Sequence, residues 1–218
     1  MVKAPTDPKE VEGLRLLRTG YFLSIIFAVI LAAAMLMLLA GLPALLNPFA
    51  PGQAVTFVIA IVVLLLIAIA FNLYITIRYF GGGYRLLSEV DSSFNICVTG
   101  VRLYIIGVPI VFVGALILIG ALAAAIISPL TTGRELATVY LAGLIVLLLG
   151  GIIAAIGSIL YAIVGPFKLN SRYEESLLLI GAIFLIIGLL IPILPLVGVI
   201  LIYIGIGHVL ERRPAPGP

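Results

Sequence analysis

The sequence contains few of the residues that perform chemistry at catalytic or metal centres. Only 10% of its 218 residues are charged, tryptophan is absent, and cysteine and histidine each occur once, as Cys97 and His208. One cysteine excludes an internal disulfide and a site built from several thiolates, and one histidine excludes a zinc site with two histidines. The basic residues form no block, and we expect no nucleic-acid partner.

Apolar side chains make up most of the chain, at 64% of residues. A soluble domain is typically about 45–50% apolar and about 25% charged, so water cannot be the solvent for most of this chain. The composition therefore predicts an all-α, polytopic membrane protein with one helical membrane domain over residues 1–218. The first apolar run, 20–46, greatly exceeds the core of a signal peptide, which is about 7–15 residues.

Six apolar segments are candidates for helices that cross the bilayer, which needs about 20 residues. They are residues 20–46, 53–80, 103–127, 136–164, 172–191 and 195–211. Breaks at Asn47-Pro48, Gly81-Gly82-Gly83 and Gly165-Pro166 bound three of these spans. We expect six transmembrane helices arranged as three antiparallel hairpins.

Two amphipathic segments are too polar to cross a bilayer. Residues 8–18 follow a helix start in which Asp7 is the N-cap, Pro8 the first helical position and Glu10 the third. Residues 84–98 repeat apolar positions at spacings of three and four. Both segments are predicted to be interfacial helices. The second is either a connector on the membrane surface or a docking face for another subunit or a gate.

The distribution of lysine and arginine predicts the topology. The N-terminal segment has four, the first turn none, and the second, third and fourth connections three, one and two, with two in the tail. Because positive charge concentrates in cytoplasmic connections, both termini should be cytoplasmic in a multi-pass protein of the cell membrane. The last apolar segment must then turn back at 192–195. Either both of its arms cross, which we favour, or they form a re-entrant hairpin.

Glycines spaced by seven residues mark the expected helix contacts. They are Gly100/Gly107/Gly114, Gly143/Gly150/Gly157, Gly181/Gly188 and Gly198/Gly205. A seven-residue repeat of small residues keeps one helix face turned to a close partner. The pattern indicates tight packing within the chain or, alternatively, a homo-oligomer interface. The first two spans lack it, and we expect them to be more peripheral.

The sequence offers no set of catalytic groups. Ionisable residues, which mark many intramembrane sites, are absent from the middle of every predicted span. His208 is interpreted as an interfacial histidine rather than a ligand, and Asn72 as a helix clamp rather than a pore-lining group. Ser24, Thr56, Thr76 and Ser158 can bond to backbone carbonyls. We therefore assign no catalytic, cofactor-binding or metal-binding residue and expect no enzymatic activity and no cofactor.

Three segments, 12–30, 147–169 and 175–210, carry a resemblance in their hydrophobic pattern and their glycine and arginine positions. In these segments the chain resembles an archaeal family of multi-pass membrane proteins, the domain of unknown function 973. The resemblance implies an archaeal plasma membrane and no particular activity.

Two functions are compatible with these features. The first is a non-enzymatic scaffold or accessory subunit of a membrane complex, and the alternative is a transporter or channel for a small uncharged or lipophilic solute. The lipid bilayer is the expected environment. A second membrane protein or a second copy of the chain is a possible partner.

Overall fold

The structure is a computed structural model that describes residues 4–45, 51–127, 133–188, 190–191 and 193–212. All regular structure in these residues is helical, as the composition predicts. The α-helices are α1 (Pro8–Leu45), α2 (Pro51–Ile75), α3 (Gly82–Val90), α4 (Asn95–Ile127), α5 (Gly133–Ser158), α6 (Val164–Tyr173), α7 (Ser176–Ile187) and α8 (Leu194–Glu211). Two π-helical turns, Thr76–Gly81 and Ile159–Ile163, and one 3-10 turn, Ser92–Phe94, connect some of them.

The first predicted interfacial helix, 8–18, is not a separate element. It is the beginning of α1, which continues without a break to Leu45. The predicted cap is confirmed, because Lys9 N–H donates to the Asp7 carboxylate at 2.8 Å. A single helix is favoured because no residue between the amphipathic and apolar parts breaks the hydrogen-bond ladder.

The triple glycine 81–83 does not interrupt the second span, contrary to prediction. Gly81 and Gly82 both have helical φ angles of −62°, so the chain is helical from Pro51 to Val90. Gly83 is needed for packing, since a Cβ there would lie 2.8 Å from Leu17 and 2.9 Å from the Gly13 carbonyl oxygen. The glycines therefore allow α3 to approach α1 closely.

The predicted interfacial helix 84–98 is also wrong as a unit. The helix breaks at Asp91, which has an extended backbone (φ −141°), and Asp91 caps the following turn by accepting from Ser93 N–H at 2.9 Å. Its apolar positions belong to two helices, with Leu87 at the end of α3 and Cys97 near the start of α4. Their periodicity is preserved because both residues are buried in the same core.

The fourth span extends beyond its predicted end at 164. The second π-helical turn precedes Pro166, and the helix then continues to Tyr173. Val164 N–H donates to the carbonyl five residues back, and in this register the Tyr161 carbonyl faces Pro166, which has no N–H. The Tyr84 hydroxyl donates to that carbonyl at 2.8 Å instead. The proline is thus accommodated without ending the helix.

The helix predicted to start at residue 172 starts later. Glu174 takes a left-handed conformation (φ 52°) and ends α6, and its N–H donates to the Asn170 carbonyl at 2.8 Å. The predicted start at residue 172, which rested on a match of 171–174 to a capping box, is therefore wrong, because these residues end one helix and α7 begins at Ser176. A left-handed residue at a helix end is a common terminator, although glycine is the usual choice.

The last two helices form the predicted antiparallel hairpin. A Cβ on Gly181 would lie 2.6 Å from Ile202, and one on Gly205 would lie 3.1 Å from Leu178. These contacts run in opposite order along α7 and α8, so the chain turns back between them. Of the predicted turn residues, Pro192 lies outside the described part of the chain.

Three helix pairs, α1 with α2, α4 with α5, and α7 with α8, form a ring in chain order. The first π-helical turn and α3 contact α4, α7 contacts the second π-helical turn, and α8 closes the ring against α1. We had expected the first hairpin to be peripheral, but it is part of the ring. In α1, Gly13 and Gly20 form another seven-residue pair, whose added Cβ atoms would lie 3.0 Å from α3 and from Tyr79.

The buried core lies at one end of this ring. We call this end, residues 8–21, 75–101, 161–178 and 202–212, the head. It contains the whole core cluster, comprising Leu14, Leu17, Tyr21, Ile75, Phe80, Tyr84, Leu87, Phe94, Cys97, Val101, Tyr161, Leu169, Tyr173, Leu178, Ile202, Ile206 and Val209. Beyond the head the helices expose large apolar side chains such as Leu36, Ile67 and Leu148. Lipid is the solvent that fits those surfaces.

The described residues contain five helices long and apolar enough to cross a membrane, so six crossings are not confirmed. The remaining apolar helix, α7, has 12 residues and rises about 18 Å, short of the roughly 30 Å hydrocarbon core. In α8, Tyr203 lies beside Arg18, and the helix extends only about 14 Å from there to Leu194. By contrast, α1 extends about 40 Å from Arg18 to Leu45. From these lengths we infer a re-entrant hairpin, although α8 by itself is one of the five helices that meet the length and composition requirement.

Thiol labelling distinguishes a re-entrant hairpin from a crossing one. In a Cys97→Ala background, we expect Gln53→Cys to react with a membrane-impermeant reagent on the side opposite the head. Leu190→Cys, at the 85% exposed apolar tip, should react from neither side until the membrane is dissolved. Labelling of both positions from the same side of intact vesicles would instead establish two full crossings.

Candidate functional site: the ionic contacts of the head

One arginine joins three parts of the head. Arg172, at the end of α6, donates through Nε to the Glu10 carboxylate at 2.6 Å and through Nη1 to Asp91 at 2.9 Å. The Tyr173 hydroxyl donates to the same Glu10 oxygen at 2.7 Å. The Glu10 side chain is only 4% exposed, so this carboxylate is largely removed from solvent. We call Glu10, Asp91, Arg172 and Tyr173 the ionic lock.

Local structure places each member of the ionic lock. Glu10 lies in the first turn of α1, where the helix dipole favours an acidic side chain. The left-handed Glu174 ends α6 directly after Arg172 and Tyr173. The pKa of the Asp91 carboxyl lies below its ordinary value, chiefly because Ser93 N–H donates to it, and Arg172 adds to the effect. Asp91 is therefore an anion that Arg172 can bind at neutral pH.

A second ionic group holds the end of α8. Arg212 donates to the Tyr173 carbonyl at 2.6 Å and also to the Glu175 carboxylate. His208 Nδ1 lies 3.7 Å from the other Glu175 oxygen, and its side chain is 53% exposed. His208 thus lies at the surface of the head beside an acidic residue. These contacts fix the last helix to the connection between α6 and α7.

Arg18 fixes α8 to α1 by a different contact. Its guanidinium carbon lies 5.0 Å from the centre of the Tyr203 ring, within the range of a cation–π interaction. The backbone at Gly207 passes close by, because a Cβ there would lie 3.0 Å from the guanidinium. In the sequence, Arg18 served only as one of the positive charges that predict the membrane topology.

The two π-helical turns meet in the centre of the head through aromatic rings. The rings of Tyr21, Phe80, Tyr161 and Tyr104 form a chain with successive centroids 4.9, 5.4 and 5.5 Å apart. Phe80 belongs to the first π-helical turn and Tyr161 to the second. The Tyr21 hydroxyl is buried and has no hydrogen-bond partner among the described residues. π-helical turns within α-helices often mark functional regions, so the buried Tyr21 hydroxyl beside two of them is a candidate for a functional group.

Three of the polar residues predicted within the spans, Asn72, Ser24 and Ser158, form structural bonds. Asn72 accepts from the Tyr104 hydroxyl at 2.8 Å, which confirms its interpretation as a clamp between helices. Ser24 and Ser158 donate to the carbonyls of Gly20 and Ala155 in their own helices. The side chain of Thr56 lies outside the described part of the structure.

Within the described ranges, no three His, Cys, Asp or Glu residues come close enough together to hold a metal ion. Cys97 is buried in the core between helices. The acidic residues near Ser88 and Ser92 are engaged elsewhere, since Glu89 bonds Lys9 at 2.8 Å and Asp91 bonds Arg172. The ion pairs of the head therefore hold helix ends together.

The contacts of the ionic lock had no local signal in the sequence. Arg172 lies 162 residues from Glu10 and 81 from Asp91 along the chain. Sequence reasoning counted Arg172 among the topological charges and assigned it no partner. Glu10 and Asp91 are acidic residues that the predicted topology places on the same side of the membrane as Arg172. On that ground they were its candidate partners.

Comparison with known proteins gives one match. The family model described as "Protein of unknown function (DUF973)" matches residues 10–216. The chain belongs to this family. The match covers all of the head of this DUF973 protein except residues 8 and 9, includes the ionic lock, and confirms the family resemblance found in the sequence. No curated protein and no solved structure matches the chain.

Proposed function

We propose that this DUF973 protein is a non-enzymatic scaffold or accessory subunit of a membrane complex. The observation that carries the proposal is the engagement of three carboxylates of the head, two of which are buried. Glu10, Asp91 and Glu175 are each bound by an arginine that joins separate helices. An acid or base used in catalysis must reach a substrate and exchange a proton with it. These carboxylates instead stabilise a defined arrangement of helix ends.

The proposed orientation places the head and both termini in the cytoplasm. The head carries the basic residues of the N-terminal segment, the connection between α3 and α4, and the connection between α6 and α7. Basic residues concentrated at one end of a helical bundle favour the cytoplasmic side. In this orientation a partner could dock on the fixed polar surface of the head or on the apolar helix faces within the bilayer.

Site-specific cross-linking in native membranes tests the scaffold proposal. A photo-reactive residue is placed at Glu12, which is exposed on the head, and in a second variant at Leu148, which faces lipid. We expect one dominant adduct of constant mass from at least one position, and a complex of fixed stoichiometry by native mass spectrometry in mild detergent. A monomer at both positions, in membranes and in detergent, would overturn the proposal.

Transport of a small uncharged or lipophilic solute is the second candidate. It is favoured by the unpartnered Tyr21 hydroxyl beside two π-helical turns and by the short hairpin α7–α8, because broken helices occur at many transporter sites. Uptake of a panel of neutral solutes into proteoliposomes tests it, with Tyr21→Phe as the matched variant. A rate above that of empty liposomes that changes in Tyr21→Phe would favour transport over the scaffold.

A further inference from the structure

A groove with a volume of about 530 Å³ lies on the outer surface of the ring, at the border between the head and the apolar part. One wall is formed by the end of α2, the first π-helical turn and α3, and the other wall by the start of α4. Its lining residues are Tyr74, Ile77, Arg78, Gly81, Gly82, Arg85, Val98, Val101, Arg102 and Ile105. We call it the basic groove.

The charged residues of the basic groove all have the same sign. Arg78, Arg85 and Arg102 line it, and their guanidinium groups form no hydrogen bond or ion pair with another described residue. This differs from Arg172 and Arg212, which are bound by carboxylates. The acidic residue of α3, Glu89, is occupied by Lys9 at 2.8 Å. Three arginines are therefore available to bind an anion.

The groove changes from polar to apolar along the helices. Along the first wall the chain runs toward the head, from Tyr74 through Arg78 to Arg85. Along the second wall it runs away from the head, from Val98 to Ile105. Tyr74 and Ile105 therefore lie at the membrane end of the groove, and Arg85 lies at its head end. The glycines between them leave a smooth backbone surface on the first wall. The shape and polarity fit a molecule with an anionic group at one end and an alkyl chain at the other.

We propose that the basic groove binds the phosphate group of an anionic membrane lipid. Arg78, Arg102 and Arg85 hold the phosphate oxygens, since guanidinium groups match phosphate with paired N–H donors. The lipid chain lies along Tyr74, Ile77 and Ile105 toward the bilayer. Basic pockets between transmembrane helices are the usual form of anionic-lipid sites. This inference does not depend on the scaffold proposal, because either function could include a bound lipid.

Native mass spectrometry of the full chain from nanodiscs tests the proposal. The nanodiscs contain phosphatidylcholine with a minor fraction of phosphatidylglycerol, and the retained lipid is identified by mass. We expect one phosphatidylglycerol retained by the wild type and affinity about thirtyfold lower in Arg78→Gln/Arg102→Gln, at about 1 kcal/mol per surface arginine. Arg15→Gln, an exposed basic residue of the head outside the groove, is the matched control and should bind like the wild type.

Several outcomes would overturn the lipid proposal. One is equal retention of phosphatidylcholine and phosphatidylglycerol, and another is equal loss of binding in Arg15→Gln. Saturable binding of inorganic phosphate in neutral detergent, with the same arginine dependence and no preference for phosphatidylglycerol, would assign the groove to a free anion. If the double glutamine variant does not fold, Arg78→Lys/Arg102→Lys keeps the charge and should show a smaller but measurable loss. No loss in that folded variant or in Arg85→Gln would also contradict the proposal.

Discussion

Gly150→Ala is expected to destabilise the bundle by about 3 kcal/mol, at the upper end of the usual cost of overpacking. A Cβ on Gly150 would lie 2.6 Å from the Val111 backbone nitrogen and 2.9 Å from the Ile110 carbonyl carbon. Backbone atoms cannot rotate away as a side chain can, so α4 and α5 must separate. Separation weakens the contacts along the whole glycine seam, and lipid gives no hydrophobic force to restore them. Denaturation of the purified protein in mixed micelles, followed by circular dichroism, measures the loss.

The adjacent residue provides the control for this prediction. A Cβ on Gly151 would meet no atom within 4 Å. Gly151→Ala should therefore be neutral, or stabilising by up to about 1 kcal/mol, because alanine has the higher helix propensity. Gly107→Ala, whose Cβ would overlap the Ala154 backbone nitrogen, should behave like Gly150→Ala. Equal stability of Gly150→Ala and Gly151→Ala would show that the two helices are not in close contact there.

Arg172→Met is expected to reduce the free energy of unfolding by about 3 kcal/mol at neutral pH, the lower end of the range for breaking a buried ion pair. Methionine replaces the apolar stem of the arginine but leaves the Glu10 carboxylate, only 4% exposed, without its cation. Tyr173 still donates to Glu10, although a neutral hydroxyl compensates a buried charge incompletely. The same denaturation measurement at neutral pH gives the loss.

A neighbouring and more exposed ion pair separates the effect of burial from the mere removal of a charge. Lys9 and Glu89 also join α1 to α3 with an N–O distance of 2.8 Å, but their side chains are 57% and 42% exposed. Lys9→Met should leave the free energy of unfolding nearly unchanged, because exposed ion pairs contribute little to stability. The double variant Glu10→Gln/Arg172→Met should recover part of the stability, since it removes the buried Glu10 charge and leaves only Asp91, which is 30% exposed, without its cation. A single Arg172→Met that is no worse than Lys9→Met would show that the ionic lock does not hold the head together.

The correct predictions from the sequence rest on properties that are summed over a segment. Hydropathy identified lipid as the solvent, and the regular spacing of Gly107, Gly150 and Gly157 marked the seam between α4 and α5. The return of the chain after α7 followed from charge counting and is confirmed by the contact between Gly181 and Ile202. Each of these signals involves many residues or a fixed period, so tertiary contacts elsewhere change them little.

Most of the incorrect predictions were about where helices end, and the exception is the expectation that the first hairpin is peripheral. Gly81-Gly82-Gly83 and Gly165-Pro166 have strong breaking tendencies but lie inside continuous helices. The π-helical turn before Pro166 removes the conflict created by its missing N–H, and Gly165 leaves room for the Tyr84 hydroxyl. Local propensity costs about 1–3 kcal/mol at such residues, which packing in the head can offset.

The sequence by itself determined that this protein is a membrane-embedded helical bundle, that its basic residues gather at one end, and that its last helix returns to that end. Only the tertiary structure decided that helix ends extend into a common head, that Arg172 joins Glu10 to Asp91, and that three arginines line one groove. The physical reason is range. Hydropathy and helical periodicity are properties of residues that lie close together in the chain. An ion pair between residues 162 positions apart forms only after the fold has brought its partners together.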